Sequence, residues 1–336
     1  MKKKILVTGA QGFIGTVLVP KLLKENYDVI ATDIGYFKDC KVLNYKDPVK
    51  IIKSDINNFN TKYLKNVYAI VHLAALSNDP LGNLNKKLTD KINVSGTKSL
   101  AIKAKKMGIK KFLFSSSCIM YGSSSGKIVN ENAKLKPLTE YARSKVKGEK
   151  ILKKMASKSF SPIFLRNGTI YGYSPRIRLD TVLNNFVGQA YTNQEIKVFG
   201  DGMPYRPVVH VDDVCDIIIE FIKVDRQKIH NQAYNVGDEK LNFQIKKLAN
   251  DVIKVLPKSK LKILKKDDAD YRTYIASFKK LKKLFQKFKF KKTPKFASKE
   301  IYKILKRNKV NRNFYNNEKF TRLAYLKKKL PNLFRL

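Results

Sequence analysis

Residues 3–15, KKILVTGAQGFIG, run a short β-branched strand into three glycines, Gly9, Gly12 and Gly15, and then into the amphipathic segment FIGTVLVPKLLKEN. Glycine at a strand-to-helix turn lets the backbone reverse tightly. It also lets a pyrophosphate approach the helix N-terminus, where free N–H groups and the helix dipole attract negative charge. Glycine-rich turns serve plain packing as well, so residues further along the chain decide between the two roles. The segment YDVIATD reads as a second strand ending in Asp33, about twenty residues on, where a carboxylate can take both ribose hydroxyls of an adenosine. An acid there repels a 2′-phosphate, and no arginine comes directly after it, which favours NAD over NADP.

Further β-like runs, IIKSDI, YAIVHLAAL and KKFLFSS, alternate with helical patterns, the longest over residues 86–107. Strands alternating with helices predict an α/β fold, a Rossmann-type doubly wound parallel sheet. After the strand SPIFLRN the regular alternation gives way to loops such as GYSPRIRLD and FGDGMPYRP. Residues 1–166 are therefore expected to form a nucleotide-binding domain. Residues 167–336 are expected to form mainly a smaller α/β substrate-binding domain, with some segments returning to the first sheet.

Composition narrows the class. The chain has 336 residues, a net charge of +43, and 70 basic residues, of which 11 are arginine. Such charge could serve RNA or an anionic membrane surface. Phosphate readers favour arginine for its bidentate fork, whereas lysine dominates here along the whole chain, as expected of compositional drift. Cys40, Cys118 and Cys215 show no C-x-x-C spacing. No disulfide framework and no metal site is expected, and a reducing cytoplasm fits. No apolar run reaches the length of a membrane span, and the start is too short in apolar residues for an export signal.

The sequence YARSK places Tyr141 and Lys145 four apart at the opening of a helical run, on one face. Tyrosine, with an ordinary pKa near 10, is a poor base at neutral pH. A neighbouring ammonium together with an oxidised nicotinamide would favour the phenolate. Such a pair can take a proton from a carbinol while hydride leaves to the cofactor. The same four-residue spacing is common by chance; the glycine turn, and Ser117 twenty-four residues upstream, give it meaning.

From residue 4 to about 242 the chain resembles the extended short-chain dehydrogenase/reductase superfamily, and within it the NAD-dependent nucleotide-sugar epimerase/dehydratase family, UDP-glucose 4-epimerase-like. The resemblance rests on TGAQGFIG, SDI, HLAALS, INVSGT, FSSSCIMYG, YARSK, LRNGTIYG and RPVVHVDDV, with a weaker match in DADYRTYIASFKKL. It implies Ser117, Tyr141 and Lys145 as the catalytic set: Tyr141 the acid/base, Lys145 on the nicotinamide ribose, Ser117 on the reacting hydroxyl. It implies Gly9, Gly12, Phe13, Ile14 and Gly15 at the pyrophosphate, Asp33 at the ribose, and Asp55 and Ile56 at the adenine. Leu73, Ala74, Ala75 and Ser115 would line the cofactor, and Asn93 would support the catalytic strand. On the substrate, a nucleotide-diphosphate sugar, it implies Ser117, Asn167, Thr169, Arg206 and Arg272. Arg272 reads about equally as a surface charge; Arg176 and Arg178 read equally as phosphate or carboxylate contacts and as solvated loop charges. His72 and His210 lie at strand ends, where structural hydrogen bonding is expected.

Two positions bear on the reaction. Family 4,6-dehydratases resemble one another in an Asp-Glu pair after the catalytic serine or threonine, and sugar-acid decarboxylases usually carry a glutamate there. This chain has Cys118 and Ile119, neither of which moves protons usefully. Thr169 stands where the family often has asparagine, and Pro207 where it has aspartate. The expectation is an NAD-dependent nucleotide-sugar epimerase working through a 4-keto intermediate in surface-polysaccharide precursor synthesis, a cytoplasmic homodimer. A 4-keto reductase or dehydrogenase, or a basic RNA- or membrane-surface-binding protein on the same scaffold, stands as the alternative. The tail FKKLKKLFQKFKFKK is expected to pack as an amphipathic element of the substrate half.

Overall fold

The computed structural model describes residues 2–40, 45–77, 79–124, 126–265, 272–329 and 331. Among them, seven parallel strands form the main sheet. The first five are β1 (Lys4–Thr8), β2 (Asp28–Asp33), β3 (Ile51–Lys53), β4 (Val67–His72) and β5 (Lys111–Ser117). They are joined by Ser161–Asn167 and then Ala233–Val236 beyond β5, in the spatial order β3, β2, β1, β4, β5, Ser161–Asn167, Ala233–Val236. The order reverses between β1 and β4, so a crevice opens at the carboxyl ends of these strands, where open α/β sheets bind ligands.

Side-chain alternation explains why both faces are covered. Ile5 and Val7 of β1, Ala69 and Val71 of β4, and Leu113 of β5 face one core, shared with helix α1 (Gly15–Lys24) and the helix Val211–Lys223. Leu6, Ile70, Phe112 and Phe114 face the other, against Leu100, Ala101 and Ala104 of helix Gly96–Lys106 and Leu152 of helix Glu140–Met155. Strands buried on both faces read as the continuous apolar runs seen in the sequence. A further core gathers Leu183 and Phe186 of helix Val182–Asn193, Leu248 of helix Ile245–Ile253, and Ile301 of helix Pro294–Arg307.

Two expectations change. The helical pattern over 86–107 is one path with a π segment, Asp90–Ser95, set between Lys86–Thr89 and Gly96–Lys106. The lysine-rich tail forms only the short helix Lys279–Leu284, and its apolar residues Leu281, Leu284, Phe285 and Phe288 pack on the core of the main sheet rather than the second core. Phe285 meets Phe221 edge-on at 4.9 Å between ring centroids. Of the weak match DADYRTYIASFKKL, residues 268–271 lie outside the described residues. Among the described residues no helix is long and apolar enough to cross a membrane, and no group of three or more His, Cys, Asp or Glu side chains could hold a metal.

Candidate active site

A cavity of about 880 Å³ occupies the crevice, and every residue expected in the site lines it except Asn93. At its floor the chain leaves β1 through Gly9, whose φ of +69° is a left-handed conformation that side chains resist. A Cβ on Gly9 would also sit 2.8 Å from the Ala74 backbone N, and one on Gly15 only 2.4 Å from the Gly9 carbonyl oxygen. Helix α1 begins after Ile14 with no side-chain cap and no acid in its first turn. The positive end of the helix dipole therefore borders the cavity, with Gly12, Phe13, Ile14 and Gly15 in its wall, which fits a dinucleotide pyrophosphate. Asp33, at the end of β2, accepts from the backbone N–H of Gln11 (3.0 Å) and Gly35 (2.7 Å), and burial pushes its carboxyl up. Asp55 caps the turn Ile56–Asn58 by accepting from Asn57 N at 2.8 Å.

Asn93 stands behind the wall. The π turn points its amide at Leu76, whose N–H donates to Asn93 Oδ1 at 2.8 Å, while Asn93 Nδ2 donates to the Leu76 carbonyl and to Ser144 Oγ. It thus ties the loop after β4 to the helix of Tyr141, not to the strand of Ser117. A π turn at a functional site is a recurring device, and nothing in the local sequence signals it.

Thr139 caps helix Glu140–Met155, its Oγ1 accepting from Ala142 N at 3.2 Å. One turn in, Lys145 Nζ donates to the Ser115 carbonyl at 2.7 Å and lies 5.7 Å from the Tyr141 ring centre. Burial brings the Lys145 ammonium down to about 8, opposed by Glu149. The Tyr141 phenol is pushed up to about 12, first by burial and then by the charge of Asp79; Arg178 and a hydrogen bond from Ser117 act the other way. Without cofactor, burial keeps the Tyr141 phenol protonated, and the oxidised nicotinamide that the sequence reading paired with the ammonium would be the further positive charge favouring the phenolate.

The two positions after Ser117 part company. Ile119 lines the cavity. Cys118 is turned into the core, its Sγ donating to the Arg166 carbonyl at 3.0 Å, and burial pushes the thiol well up, so it is no nucleophile. Asn167 pairs in register with Ser117; its Nδ2 donates to Ser115 Oγ at 3.1 Å, and its buried Oδ1 has no protein partner. Thr169 lines the cavity two residues on. Arg206 stacks on Tyr274 at 5.5 Å, and Arg272 is drawn to Asp79 at 2.7 Å. His72 sits between Thr8 Oγ1 (2.7 Å) and Thr97 Oγ1 (2.9 Å), brought down to about 3 by burial, and His210 caps helix Val211–Lys223.

Two features escaped the sequence reading, Asp79 and the Arg166–Glu149 pair. Asp79, opening the turn after HLAALSN, holds Arg272 with one oxygen and accepts from Thr139 Oγ1 (2.6 Å) with the other. Arg166 is 2% exposed and forks onto Glu149 at 2.8 and 3.0 Å, with Ser116 Oγ donating to the same carboxylate at 2.7 Å. For Arg178, of the two readings the sequence left open, the structure shows the carboxylate contact: it forks onto Asp180 and lines the cavity. Arg176 is buried as well, with a guanidinium N–H donating to the Lys38 carbonyl.

The model of the NAD dependent epimerase/dehydratase family matches residues 5–237. The chain belongs to that family. Its members are NAD-dependent, as the glycine cradle and Asp33 anticipate. The chain is similar to a putative UDP-glucose 4-epimerase of Methanocaldococcus jannaschii, at 32% identity over 63% of this chain and 70% of that one. It is also similar to the human dTDP-D-glucose 4,6-dehydratase, at 25% over 76% and 74%. Among solved structures it is similar to a UDP-glucuronic acid 4-epimerase from Bacillus cereus in complex with UDP-glucuronic acid and NAD, at TM-score 0.79 and 25% identity over 90% and 99%. Family relatives thus include an epimerase and a dehydratase, so family membership leaves the choice between these reactions to the site.

Proposed function

We propose that this chain is an NAD-dependent nucleotide-sugar epimerase working through a 4-keto intermediate in the synthesis of surface-polysaccharide precursors. The observation that carries the reading is the wall beside Ser117, where Ile119 takes the cavity-facing position and offers no proton. Water loss from a sugar needs an acid and a base of its own beside Tyr141. Asp79, the neighbouring carboxylate, has both oxygens engaged by Thr139 and Arg272. Bound NAD supplies a hydride acceptor and donor. Ser117 holds the C4 hydroxyl, Tyr141 takes its proton and later returns it, and Lys145 holds the nicotinamide ribose. Asn167 Oδ1 and Thr169 face the sugar, and Arg206 and Arg272 take the diphosphate as paired cationic forks.

In this reading residues 1–166 carry the cofactor and residues 167–336 mainly the sugar nucleotide. A homodimer through the helices around 86–107 and 140–157 is part of the proposal, supported by the exposed Ile102 and Met107. UDP-glucose and UDP-glucuronate, the sugars of similar proteins, are the substrates to try first. The protein is incubated with UDP-, GDP- and dTDP-sugars without added NAD, and products are resolved by chromatography. The expected result is a C4 epimer at constant mass. Loss of 18 mass units would overturn the reading in favour of a dehydratase, and stoichiometric NADH turnover in favour of a reductase or dehydrogenase. Tyr141→Phe is expected to cut epimerisation by about 100- to 10,000-fold; parental turnover in that variant would refute the proton-transfer role.

A further inference from the structure

The helix Arg322–Lys329 lies beyond the residues matched by the family model, which ends at 237, yet Thr321, Arg322 and Leu323 line the same cavity. The helix is seated by Tyr325 and Leu326, which pack with Cys40, Leu76 and Leu88, and by Tyr325 Oη donating to Asp39 at 3.2 Å. Cys40 and Asp39 belong to the loop that follows β2 and Asp33, Leu76 to the loop after β4 that carries Ala74, and Leu88 to the short helix Lys86–Thr89.

Arg322 is 3% exposed and its guanidinium lies 4.2 Å over the Phe37 ring. Nη2 donates to the Arg176 carbonyl at 3.2 Å, but Nη1 is buried without a hydrogen-bond partner. Among the described residues no carboxylate pairs with this guanidinium, whereas Arg178 has Asp180. Thr181 Oγ1, also in the cavity wall, is buried and unpartnered too. Burial brings Arg322 down to about 10, with Arg178 and Arg176 acting the same way and Cys40 and the Asp180 carboxylate opposing it; Asp180 is itself forked by Arg178 and meets Arg322 only at the Arg322 backbone N–H. An uncompensated buried charge is costly, and an anionic ligand relieves it. The anion belongs to the cofactor half of the cavity, because Arg322 and Arg176 are the cations that act on Asp33, while Arg206 and Arg272 stand with Tyr274 and Asp79.

We propose that Arg322 binds a pyrophosphate oxygen of the dinucleotide, so that the helix Arg322–Lys329 clasps the cofactor from outside the family core. The proposal rests on NAD-dependence and not on the epimerase reading, so either can fail alone.

The test is amide hydrogen exchange on the full chain freed of nucleotide, with ADP-ribose, adenosine or UDP added at saturation. ADP-ribose is expected to slow exchange in 322–329 about 10-fold or more, with adenosine and UDP giving no comparable effect. Equal protection by adenosine would show that phosphate is not the ligand. Protection by UDP equal to or above that by ADP-ribose would assign the site to the sugar nucleotide. Either outcome, or no protection by ADP-ribose, overturns the proposal. In a second measurement, Arg322→Gln is expected to weaken ADP-ribose binding about 10- to 100-fold, the worth of a charged hydrogen bond, while adenosine binding holds. NAD released by heating the purified variant should fall in parallel. Parental ADP-ribose affinity in a folded Arg322→Gln protein overturns the proposal as well.

Discussion

Tyr141 and Lys145 show how one side chain's environment can reverse what its neighbour suggests. Spacing pairs them, and the pairing with an oxidised nicotinamide implies a lowered phenol, yet in the protein alone both groups lose solvent on folding and each is driven toward its neutral form. For Lys145 the effect on stability has a definite sign. Its folded value of about 8 lies below its ordinary 10.5. Between those two values the unfolded chain holds a proton that the folded chain has shed, so folding stability rises with pH across that window. The burial cost of the ammonium is complete below about pH 8. Lys145→Met removes it, so the parent is expected to gain on the variant by on the order of 1 kcal/mol between pH 7.5 and 9.5. Cofactor-free melting curves at both pH values check this; a constant gap would mean that the ammonium is not desolvated. Cys118 and Ile119 carry the same lesson. They are adjacent in sequence, but only one meets the cavity, because the 3-10 turn Cys118–Tyr121 that follows β5 turns Cys118 inward and leaves Ile119 at the wall.

Elements are joined by groups that no periodicity reveals. Strand Ser161–Asn167 and helix Glu140–Met155 are locked by the Arg166–Glu149 pair, to which Ser116, Tyr121 and Asn235 add their hydrogen bonds. The middle serine of the triplet thus has a structural task of its own, beyond linking β5 to the site. Breaking a buried pair from one side leaves the other charge unpaired, so Arg166→Ala is expected to destabilise by about 3–5 kcal/mol. Denaturant unfolding measures it; a loss below about 1 kcal/mol would mean the pair is dispensable. The six strands up to Ser161–Asn167 were legible because strands covered on both faces are nearly continuous apolar runs. Ala233–Val236 was not, being four residues long among loops. The tail helix Lys279–Leu284 was legible as amphipathic, but an apolar stripe does not name the core it faces.

Across the whole molecule, the charge of +43 is a long-range property that shapes stability more than fold. Like charges repel over a Debye length of about 30 Å at 0.01 M salt and about 8 Å at 0.15 M. The melting temperature is therefore expected to rise as NaCl goes from 0.01 to 0.15 M, which scanning calorimetry tracks. A fall would mean that ion pairs such as Lys21–Asp216 outweigh the repulsion. By itself the sequence determined the parallel sheet, the glycine turn before Asp33 and the shared helix face of Tyr141 and Lys145, because backbone reversal, strand alternation and helical spacing are local rules that neighbours in sequence obey; the catalytic roles of Ser117, Tyr141 and Lys145 came from the family resemblance. Only the tertiary structure decided which of Cys118 and Ile119 faces the ligand, that Asp79 holds Arg272, and that Arg322 reaches the cofactor cavity from the end of the chain. Those depend on the direction of a side chain and on contacts between residues far apart in sequence, which become neighbours only when the cores close.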